Sequence, residues 1–310
     1  MQRHIVIACS VCGVVLVLLL SAGVADSSAT PAAGSSSSNP AVIPFEIRRG
    51  HIMVPATVNG TNKLSLLLDT GYGMTMLRLD HVEEFALNRT GRSISIVGIA
   101  GEEQAALYEG PTFEFAGASW KPRRVASFPA ANQSRSRRRE GVLGSGFFRR
   151  FVVEIDPWRK ELTLHDPDAY SHSGSGEILP LTFKNSTPIV EASVRLAGGS
   201  TIKAQFEIDT GCDSALCIGK HFVEAHDLLP SDRSSDGGRV GVGGSTSIKT
   251  GHLIQLQLGQ LTIEKPPANF FLDGSPADAP LAGHIGWELL RDFKIVFDYS
   301  RKRMILKSKD

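Results

Sequence analysis

The tripeptide Asp-Thr-Gly occurs twice in this chain, each time where an apolar run ends. Residues 69–71 follow the run LSLLL, and residues 209–211 follow AQFEI. A carboxylate at the end of a buried strand lowers stability unless the protein uses it. One such tripeptide would be consistent with a capped turn, so the meaning of the pair depends on what surrounds each copy.

The surroundings of the two copies also repeat in the same order. Each copy contains a strand-like segment, the tripeptide, a Gly-rich segment and a long terminal block, at offsets of 136, 140, 143 and 142 residues. The paired blocks are residues 54–58 with 190–194, 69–71 with 209–211, 97–101 with 240–244, and 141–156 with 283–298. Because the differences in offset fall in turns and loops, the chain is predicted to contain an internal duplication of one domain.

Each repeat has the sequence character of a β domain. Short strand-like segments alternate with turn residues, and Asn59-Gly60 and Gly198-Gly199 are typical of hairpins. Helical character is brief, as in residues 287–292. The sequence therefore predicts an all-β protein of two duplicated β-barrel-like lobes with pseudo-twofold symmetry. A duplicated β-sandwich without chemistry is the alternative, which the apolar strands leading into Asp69 and Asp209 disfavour.

The composition is that of an ordinary globular protein. The 310 residues are 42% apolar, which is enough for a packed core and suggests about two domains. Lys and Arg number 33 against 32 Asp and Glu, so there is no electrostatic reason to expect nucleic acid as a partner. The basic cluster at residues 135–139 is interpreted as a solvated loop rather than a docking patch.

The N-terminal segment has the features of an export signal. Residues 1–25 begin with Arg3 and His4, continue without charge, and end in small residues that suit a signal peptidase. The run is long enough to span a bilayer, so a cleaved signal peptide and an uncleaved signal anchor both stay open. The protein is expected to be exported, and to be periplasmic, extracellular or tethered to the membrane by this segment.

Composition also suggests where the domains begin and end. Residues 26–41 are rich in Ser, Ala and Pro and are predicted to form a flexible linker. The N-terminal lobe is then expected at residues 42–168, an inter-lobe linker at 169–178, and the C-terminal lobe at 179–310.

Cysteine and histidine usage gives no sign of a disulfide framework or a metal site. Beyond the export segment the sequence has Cys212 and Cys217, and a bond between them would need a tight loop, so two buried small side chains are the favoured interpretation. His221 and His226 are not spaced as a ligand pair on one helical face. We expect neither a metal nor a cofactor.

Two equivalent carboxylates suggest a specific chemistry. Peptide hydrolysis without a metal or a covalent nucleophile needs a water that loses a proton as it attacks, while the carbonyl oxygen gains one. Two Asp side chains in hydrogen-bonding reach do not readily both ionise, so the pair keeps one proton and supplies one acid and one base. Asp69 and Asp209, one from each lobe, would meet at the pseudo-twofold axis.

The residues around each Asp have expected roles of their own. Thr70 and Thr210 can hydrogen-bond across the axis, while Gly71 and Gly211 let backbone amides approach the carboxylates. Two Gly-rich segments are predicted to be the tips of mobile flaps that close over substrate. These flap residues are Gly98, Ile99, Ala100 and Gly101 in the first lobe and Gly241, Val242, Gly243 and Gly244 in the second.

Together these motifs resemble the retropepsin-like aspartic proteases, in particular the exported single-chain bacterial kind with two fused lobes. The resemblance covers roughly residues 42–308 and includes an apolar block ending in Gly in each lobe, namely Val142, Leu143 and Gly144, then His284, Ile285 and Gly286. It implies a bilobal pepsin/retropepsin-like fold and an aspartic endopeptidase with Asp69 and Asp209 as the catalytic pair.

The same resemblance implies the partners. A peptide or protein substrate would bind as an extended strand under the two flaps, and the protein would be a monomer whose single chain supplies both lobes. A catalytically silent module of the same fold, which captures extended peptides without cleaving them, is the alternative.

Three positions depart from the family pattern. The first flap lacks the Tyr that pepsin-like enzymes place there, and Tyr108 lies further along the chain. The position two after each motif is Gly73 in one lobe and Asp213 in the other, so only Asp213 could hold the substrate main chain as the Asp of retroviral enzymes does. Residue 284 is His284 where an aliphatic residue is usual, and a surface or packing variant is favoured over a functional role.

Overall fold

The computed structural model describes residues 5–8, 40–98, 101–128, 140–229, 235–241, 244–274 and 280–309. Strands dominate these residues, and the helices among them are short. The first half contains, in chain order, β1 (Ile5–Ala8), β2 (Ala41–Pro44), β3 (Glu46–Arg48), β4 (His51–Val58), β5 (Asn62–Leu68), β6 (Met76–Arg78), α1 (Leu79–Glu84), β7 (Arg89–Gly98), β8 (Gly101–Glu109), β9 (Phe113–Phe115), β10 (Ala118–Trp120), β11 (Arg124–Phe128), β12 (Gly141–Leu143), α2 (Ser145–Arg150), β13 (Val152–Asp156) and β14 (Glu161–His165).

The second half repeats this series of elements. It contains β15 (Glu177–Pro180), β16 (Thr182–Lys184), β17 (Thr187–Arg195), β18 (Thr201–Asp209), β19 (Leu216–Ile218), α3 (Lys220–His226), β20 (Ser235–Gly241), β21 (Gly244–His252), β22 (Gln255–Leu258), β23 (Leu261–Glu264), β24 (Pro267–Phe271), β25 (Leu281–Gly286), α4 (Trp287–Leu290), β26 (Phe293–Asp298) and β27 (Arg303–Ser308).

The two halves have the same strand order. In the first half the order is β1-β7-β8-β11-β6-β12-β5-β4-β9-β10, and in the second it is β20-β21-β24-β19-β25-β18-β17-β22-β23. Apart from β1, each strand of the first path has a counterpart at the same place in the second, and β3 and β16 pair beside β4 and β17 in the same way. The predicted all-β, bilobal, duplicated fold is confirmed.

The strands that lead into the two Asp residues lie in the middle of their sheets. The burial of β18 alternates at its start and then becomes continuous, so that Phe206 to Asp209 are all buried. Residues 66–68 at the end of β5 are likewise fully buried. Both strands are flanked on each side, β5 by β4 and β12 and β18 by β17 and β25, which explains why their ends read as apolar runs rather than alternating patterns.

A third sheet joins the two halves. Its order is β15-β27-β26-β13-β14-β2, so three strands come from each half, and β13 pairs antiparallel with β26 through Ile155 opposite Ile295. Aromatic side chains pack beneath it, with the Phe148 ring 5.4 Å from that of Phe297 and 5.5 Å from that of Tyr299. Burying one such ring stabilises the fold by about 1.5–3 kcal/mol, so the two halves share part of their core.

The predicted segment boundaries can be compared with the elements in part. Strand β2 begins at Ala41 and β15 at Glu177, so each starts just inside a segment predicted as linker. Residues 5–8 of the predicted export signal pair in parallel with residues 94–97 of β7. The rest of that signal, most of the 26–41 linker and the basic cluster at 135–139 lie outside the described residues. In the part of the chain that the structure describes, no helix has the length and apolar character needed to cross a membrane.

The first hairpin has the turn that its Asn-Gly sequence predicts. Asn59 and Gly60 both have positive φ, at 49° and 71°, between β4 and β5. Consecutive left-handed residues match the twist of a hairpin, and Asn followed by Gly adopts them at low cost.

Candidate active site

The two Asp-Thr-Gly motifs meet at the centre of the molecule. Asp69 follows the end of β5 and Asp209 is the last residue of β18, and both side chains are 0% exposed. Their Thr neighbours, Thr70 and Thr210, are also 0% exposed. Burial of this much polar surface requires hydrogen bonds that replace water.

The two Thr residues supply those hydrogen bonds reciprocally. The amide of Thr70 donates to Thr210 Oγ1 at 3.1 Å, and the amide of Thr210 donates to Thr70 Oγ1 at 3.0 Å. Each hydroxyl in turn donates across the axis, Thr70 Oγ1 to the Ile208 carbonyl at 2.6 Å and Thr210 Oγ1 to the Leu68 carbonyl at 2.9 Å. The predicted cross-axis contact of the two Thr residues is therefore present, and it fixes one loop against the other.

The two Gly residues bring the carboxylates to the same place. The amide of Gly71 donates to Asp69 Oδ1 and the amide of Gly211 donates to Asp209 Oδ1, both at 2.9 Å. Gly211 also lies directly against the other carboxylate, because a Cβ on it would overlap the side chain of Asp69. Both carboxylates thus contact Gly211, so the structure brings Asp69 and Asp209 together as the sequence predicts.

The apolar-apolar-Gly blocks support the motif loops from behind. The amide of Ser145 donates to the Tyr72 carbonyl at 2.8 Å, and at the equivalent place the amide of Trp287 donates to the Cys212 carbonyl at 2.8 Å. The preceding Gly144 and Gly286 allow this close approach, since a Cβ on either would overlap backbone atoms of the motif loop. These atoms belong to Met74 and Tyr72 in one lobe and to Ser214 and Cys212 in the other.

The second lobe has a buried ionic cluster behind Asp209, at the place where the first lobe has Leu67 and Val142 behind Asp69. His284 is 0% exposed, so the surface alternative for this residue is wrong. Its Nδ1 lies 3.4 Å from Asp209 Oδ2 and its Nε2 lies 3.6 Å from Glu207 Oε2. Although burial disfavours the charged imidazole, the negative charges of Glu207 and Asp209 raise the pKa of His284 to about 9.

Sequence reasoning missed Glu207. The sequence feature that could have identified it is a Glu within the otherwise apolar end of β18, at the position where the first lobe has Leu67. Neither Glu207 nor His284 is informative alone, because their relationship depends on the parallel register of β18 and β25.

Asp213 is engaged by the second flap. Arg239 on β20 donates to Asp213 Oδ1 at 2.8 Å and also contacts the Ser214 hydroxyl, to which Asn269 donates at 2.9 Å. At the first-lobe equivalent of Asp213, the carbonyl of Gly73 accepts a hydrogen bond from Ser145 Oγ at 2.7 Å. The predicted role of Asp213 in holding substrate stays a prediction.

The two flaps are hairpins, as expected from the Gly-rich segments. Gly98 pairs with Gly101 at the end of β7 and β8, and Gly241 pairs with Gly244 at the end of β20 and β21. The tip residues Ile99, Ala100, Val242 and Gly243 lie outside the described residues. Tyr108 lies at the opposite end of β8 from the tip, opposite Arg89 and Val125.

Cys212 and Cys217 are buried thiols that no disulfide joins, and their Sγ atoms are 3.5 Å apart. They pack with Ile248 and Phe271 in a small apolar cluster, which agrees with the interpretation as buried small side chains. Within the described ranges, no three His, Cys, Asp or Glu side chains are grouped so as to hold a metal ion.

Comparisons with known proteins agree with this geometry. Residues 54–147 match the family model described as aspartyl protease. Among the solved structures, 397 chains are similar, and one of them is the aspartic proteinase from Irpex lacteus, with a TM-score of 0.57, 16% identity, and coverage of 88% of this chain and 98% of that chain. No curated protein sequence matches the chain.

At 16% identity the structural likeness establishes the fold, while the family match covers the first motif and the apolar block that supports it. The resemblance to the pepsin- and retropepsin-like aspartic proteases that the sequence predicts is confirmed.

Proposed function

We propose that this protein is an aspartic endopeptidase that hydrolyses peptide bonds of extended polypeptides. The observation that carries the proposal is the contact of both motif carboxylates with Gly211, held by the reciprocal Thr70 and Thr210 hydrogen bonds. Coordinated positioning of two acids from two lobes has little purpose in a purely structural β protein, because it buries charge near the core.

The proposed reaction uses one proton shared by the two Asp side chains. The ionised carboxylate accepts a proton from water as the water oxygen bonds to the substrate carbonyl carbon, and the protonated carboxyl gives its proton to the carbonyl oxygen. The carboxyl that took the water proton then gives it to the nitrogen as the C–N bond breaks, and the other carboxylate takes a proton from a hydroxyl of the tetrahedral intermediate, which leaves a new carboxyl group and a new amine. The dyad ends with one proton, as it began.

Substrate would lie between the dyad and the two flap hairpins. An extended peptide satisfies its backbone hydrogen bonds against strand-like edges, so affinity would come from main-chain contacts and preference from side-chain pockets. Closure of the flaps would exclude water from the reacting bond and strengthen the electrostatic contribution of the dyad.

Incubation of the purified full-length protein with a peptide library from about pH 3 to 8 tests the proposal. We expect internal cleavage detected by mass spectrometry, and loss of that cleavage with a statin-type peptidomimetic, whose hydroxyl occupies the position of the attacking water. Peptide binding without cleavage at any pH would contradict the proposal and favour the silent capture module. Cleavage that the inhibitor leaves intact would contradict the two-carboxylate mechanism.

A further inference from the structure

The dyad is symmetric in its backbone but not in its surroundings. In the first lobe, Leu67 on β5 pairs with Val142 on β12 just behind Asp69. In the second lobe, the same register places Glu207 on β18 beside His284 on β25, just behind Asp209. An apolar pair in one lobe is therefore replaced by an ionisable pair in the other.

The geometry around His284 requires a particular protonation state. Both ring nitrogens face carboxylates, Nδ1 towards Asp209 at 3.4 Å and Nε2 towards Glu207 at 3.6 Å. A neutral imidazole has one N–H and one lone pair, so one carboxylate would face the lone pair. The doubly protonated ring offers an N–H to each, and complete burial of His284 keeps water from substituting for either.

We propose that His284, held as an imidazolium between Glu207 and Asp209, is a positioning residue that keeps Asp209 ionised and leaves the shared proton of the dyad on Asp69. In the aspartic protease mechanism proposed above, on which this inference rests, Asp209 is then the base that accepts the proton of the attacking water. Asp69 is the acid that protonates the carbonyl oxygen. The two chemically equivalent residues acquire fixed roles from the lobe behind them.

The charged groups around His284 agree with this assignment. Burial lowers its pKa, but Glu207, Asp209 and Cys212 raise it, and the result is about 9. The ionisable residues on β18 and in the loop after it are Lys203, Glu207, Asp209, Cys212 and Asp213. Those on the other elements around His284 are Cys217 opposite it on β19, Lys220, His221, Glu224 and His226 on α3, Glu288 on α4, and Tyr299 after β26, on which Glu207 also acts. Lys203 pairs with Glu191 and Asp213 with Arg239. Lys220 and Glu224 face each other at 3.7 Å with largely exposed side chains.

A purely structural explanation of the cluster is weaker. Burying an ion pair usually gains little stability over an apolar pair of similar size, and breaking it by removing one partner is costly. The first lobe demonstrates that Leu67 and Val142 fill the same place without charge. An ionic pair directly behind one carboxylate of the dyad therefore indicates a role in setting charge at that carboxylate.

The first lobe also supplies the test variant. E207L/H284V gives the second lobe the apolar pair of the first, and it should fold because both members of the pair are removed together. Its thermal unfolding is measured first, and its kcat/KM is then followed across pH. We expect the acid limb of the profile to move to higher pH by about one unit or more, since the dyad must lose its first proton without help from an adjacent cation, with a smaller change in KM than in kcat.

A matched control removes a different His–Glu contact. His165 lies 3.5 Å from Glu154 on the sheet that joins the lobes, and H165Q should leave the acid limb where it is in the wild type. If wild-type protein cleaves peptides and E207L/H284V has the same pH profile, the inference is overturned while the proposed function stands.

A second measurement does not depend on turnover or on the double variant. In wild-type protein labelled with ¹⁵N at histidine and assigned through bonds, both nitrogens of His284 should have imidazolium shifts at about pH 7.5, where an ordinary histidine is neutral. The His284 titration midpoint should fall in D209N and stay in place in D213N. A neutral His284 ring at that pH would overturn the inference, whether or not the protein cleaves peptides, and absence of cleavage with a charged ring would count against the proposed function alone.

Discussion

The carboxylate of Asp69 lies against the backbone of Gly211. It occupies the space that a side chain at residue 211 would fill. The second lobe therefore contacts the carboxylate of the first lobe directly, and this close approach is possible because residue 211 has no Cβ.

Replacing Gly211 by Ala tests this contact. We expect G211A to push the two loops apart, to lower peptide cleavage by about 100-fold or more because small displacements of reacting groups are costly, and to destabilise the fold by about 1–3 kcal/mol through overpacking. The control is G198A, since a Cβ on Gly198 has no neighbour within 4 Å. Cleavage assays and urea unfolding are compared, and equal behaviour of the two variants would contradict the close approach.

The reciprocal Thr hydrogen bonds predict a specific pattern of stability changes. T70V removes the acceptor of the Thr210 amide and the donor to the Ile208 carbonyl, so we expect a loss of about 2–5 kcal/mol in the free energy of unfolding. T70S keeps both partners and should lose about 1 kcal/mol or less. The combined T70V/T210V variant should lose less than the sum of the two single changes, because each hydroxyl holds the loop whose amide bonds the other hydroxyl. Strict additivity in urea unfolding would argue that the bonds act independently.

The contact between Arg239 and Asp213 predicts how the second flap moves. The side chains are 29% and 40% exposed, so the ion pair should contribute less than about 1 kcal/mol to global stability. It nevertheless links β20 to the loop after Asp209, and R239Q should speed amide hydrogen exchange in β20. Amide exchange in strand β7 of the first flap is the internal reference. The control variant is R92Q, which removes an exposed charge on that strand. Unchanged exchange in β20 would mean that the contact does not restrain the flap.

Acid stability should depend on Glu154. His165, whose Nε2 lies 3.5 Å from Glu154 Oε2, together with Lys294 at 2.5 Å, lowers the pKa of Glu154 to about 2 from its usual 4.5. A carboxyl whose pKa is lower in the folded state stabilises the protein above pH 4.5, and this contribution is lost as pH falls through about 2.

The variant E154Q should therefore be less stable than wild type at neutral pH, with a difference that shrinks from about pH 4.5 downwards. The control is E191Q, whose ion pair with Lys203 is exposed and should change stability little at any pH. Urea unfolding at several pH values provides the comparison, and a constant difference across pH would exclude the linkage.

The fold was predictable because the duplication carries two independent copies of the same information. Apolar strand ends, hairpin turns and Gly positions recur in order, so the matching strand orders of the two halves, β1 apart, follow from a pattern that chance does not repeat. The meeting of Asp69 and Asp209 was predictable for the same reason, since a pseudo-twofold axis brings equivalent residues together.

The asymmetric features were not predictable from the pattern. Glu207 and His284 become neighbours through the register of β18 and β25, and Arg239 reaches Asp213 through the fold of the second flap. Each of these contacts depends on packing between segments far apart in sequence, and neither has a counterpart in the other copy. Residue type alone therefore favours a surface or packing variant at His284, and it does not identify Glu207 at all.

The central claim is that Asp69 and Asp209 act as one catalytic unit, and the most direct measurement compares D69N, D209N and D69N/D209N with wild type for peptide cleavage and peptide affinity. We predict that either single change abolishes turnover almost as fully as both together, because one shared proton cannot be divided between independent sites, while peptide affinity is largely retained. Substantial residual cleavage in either single variant, or losses that add in the double variant, would contradict the account.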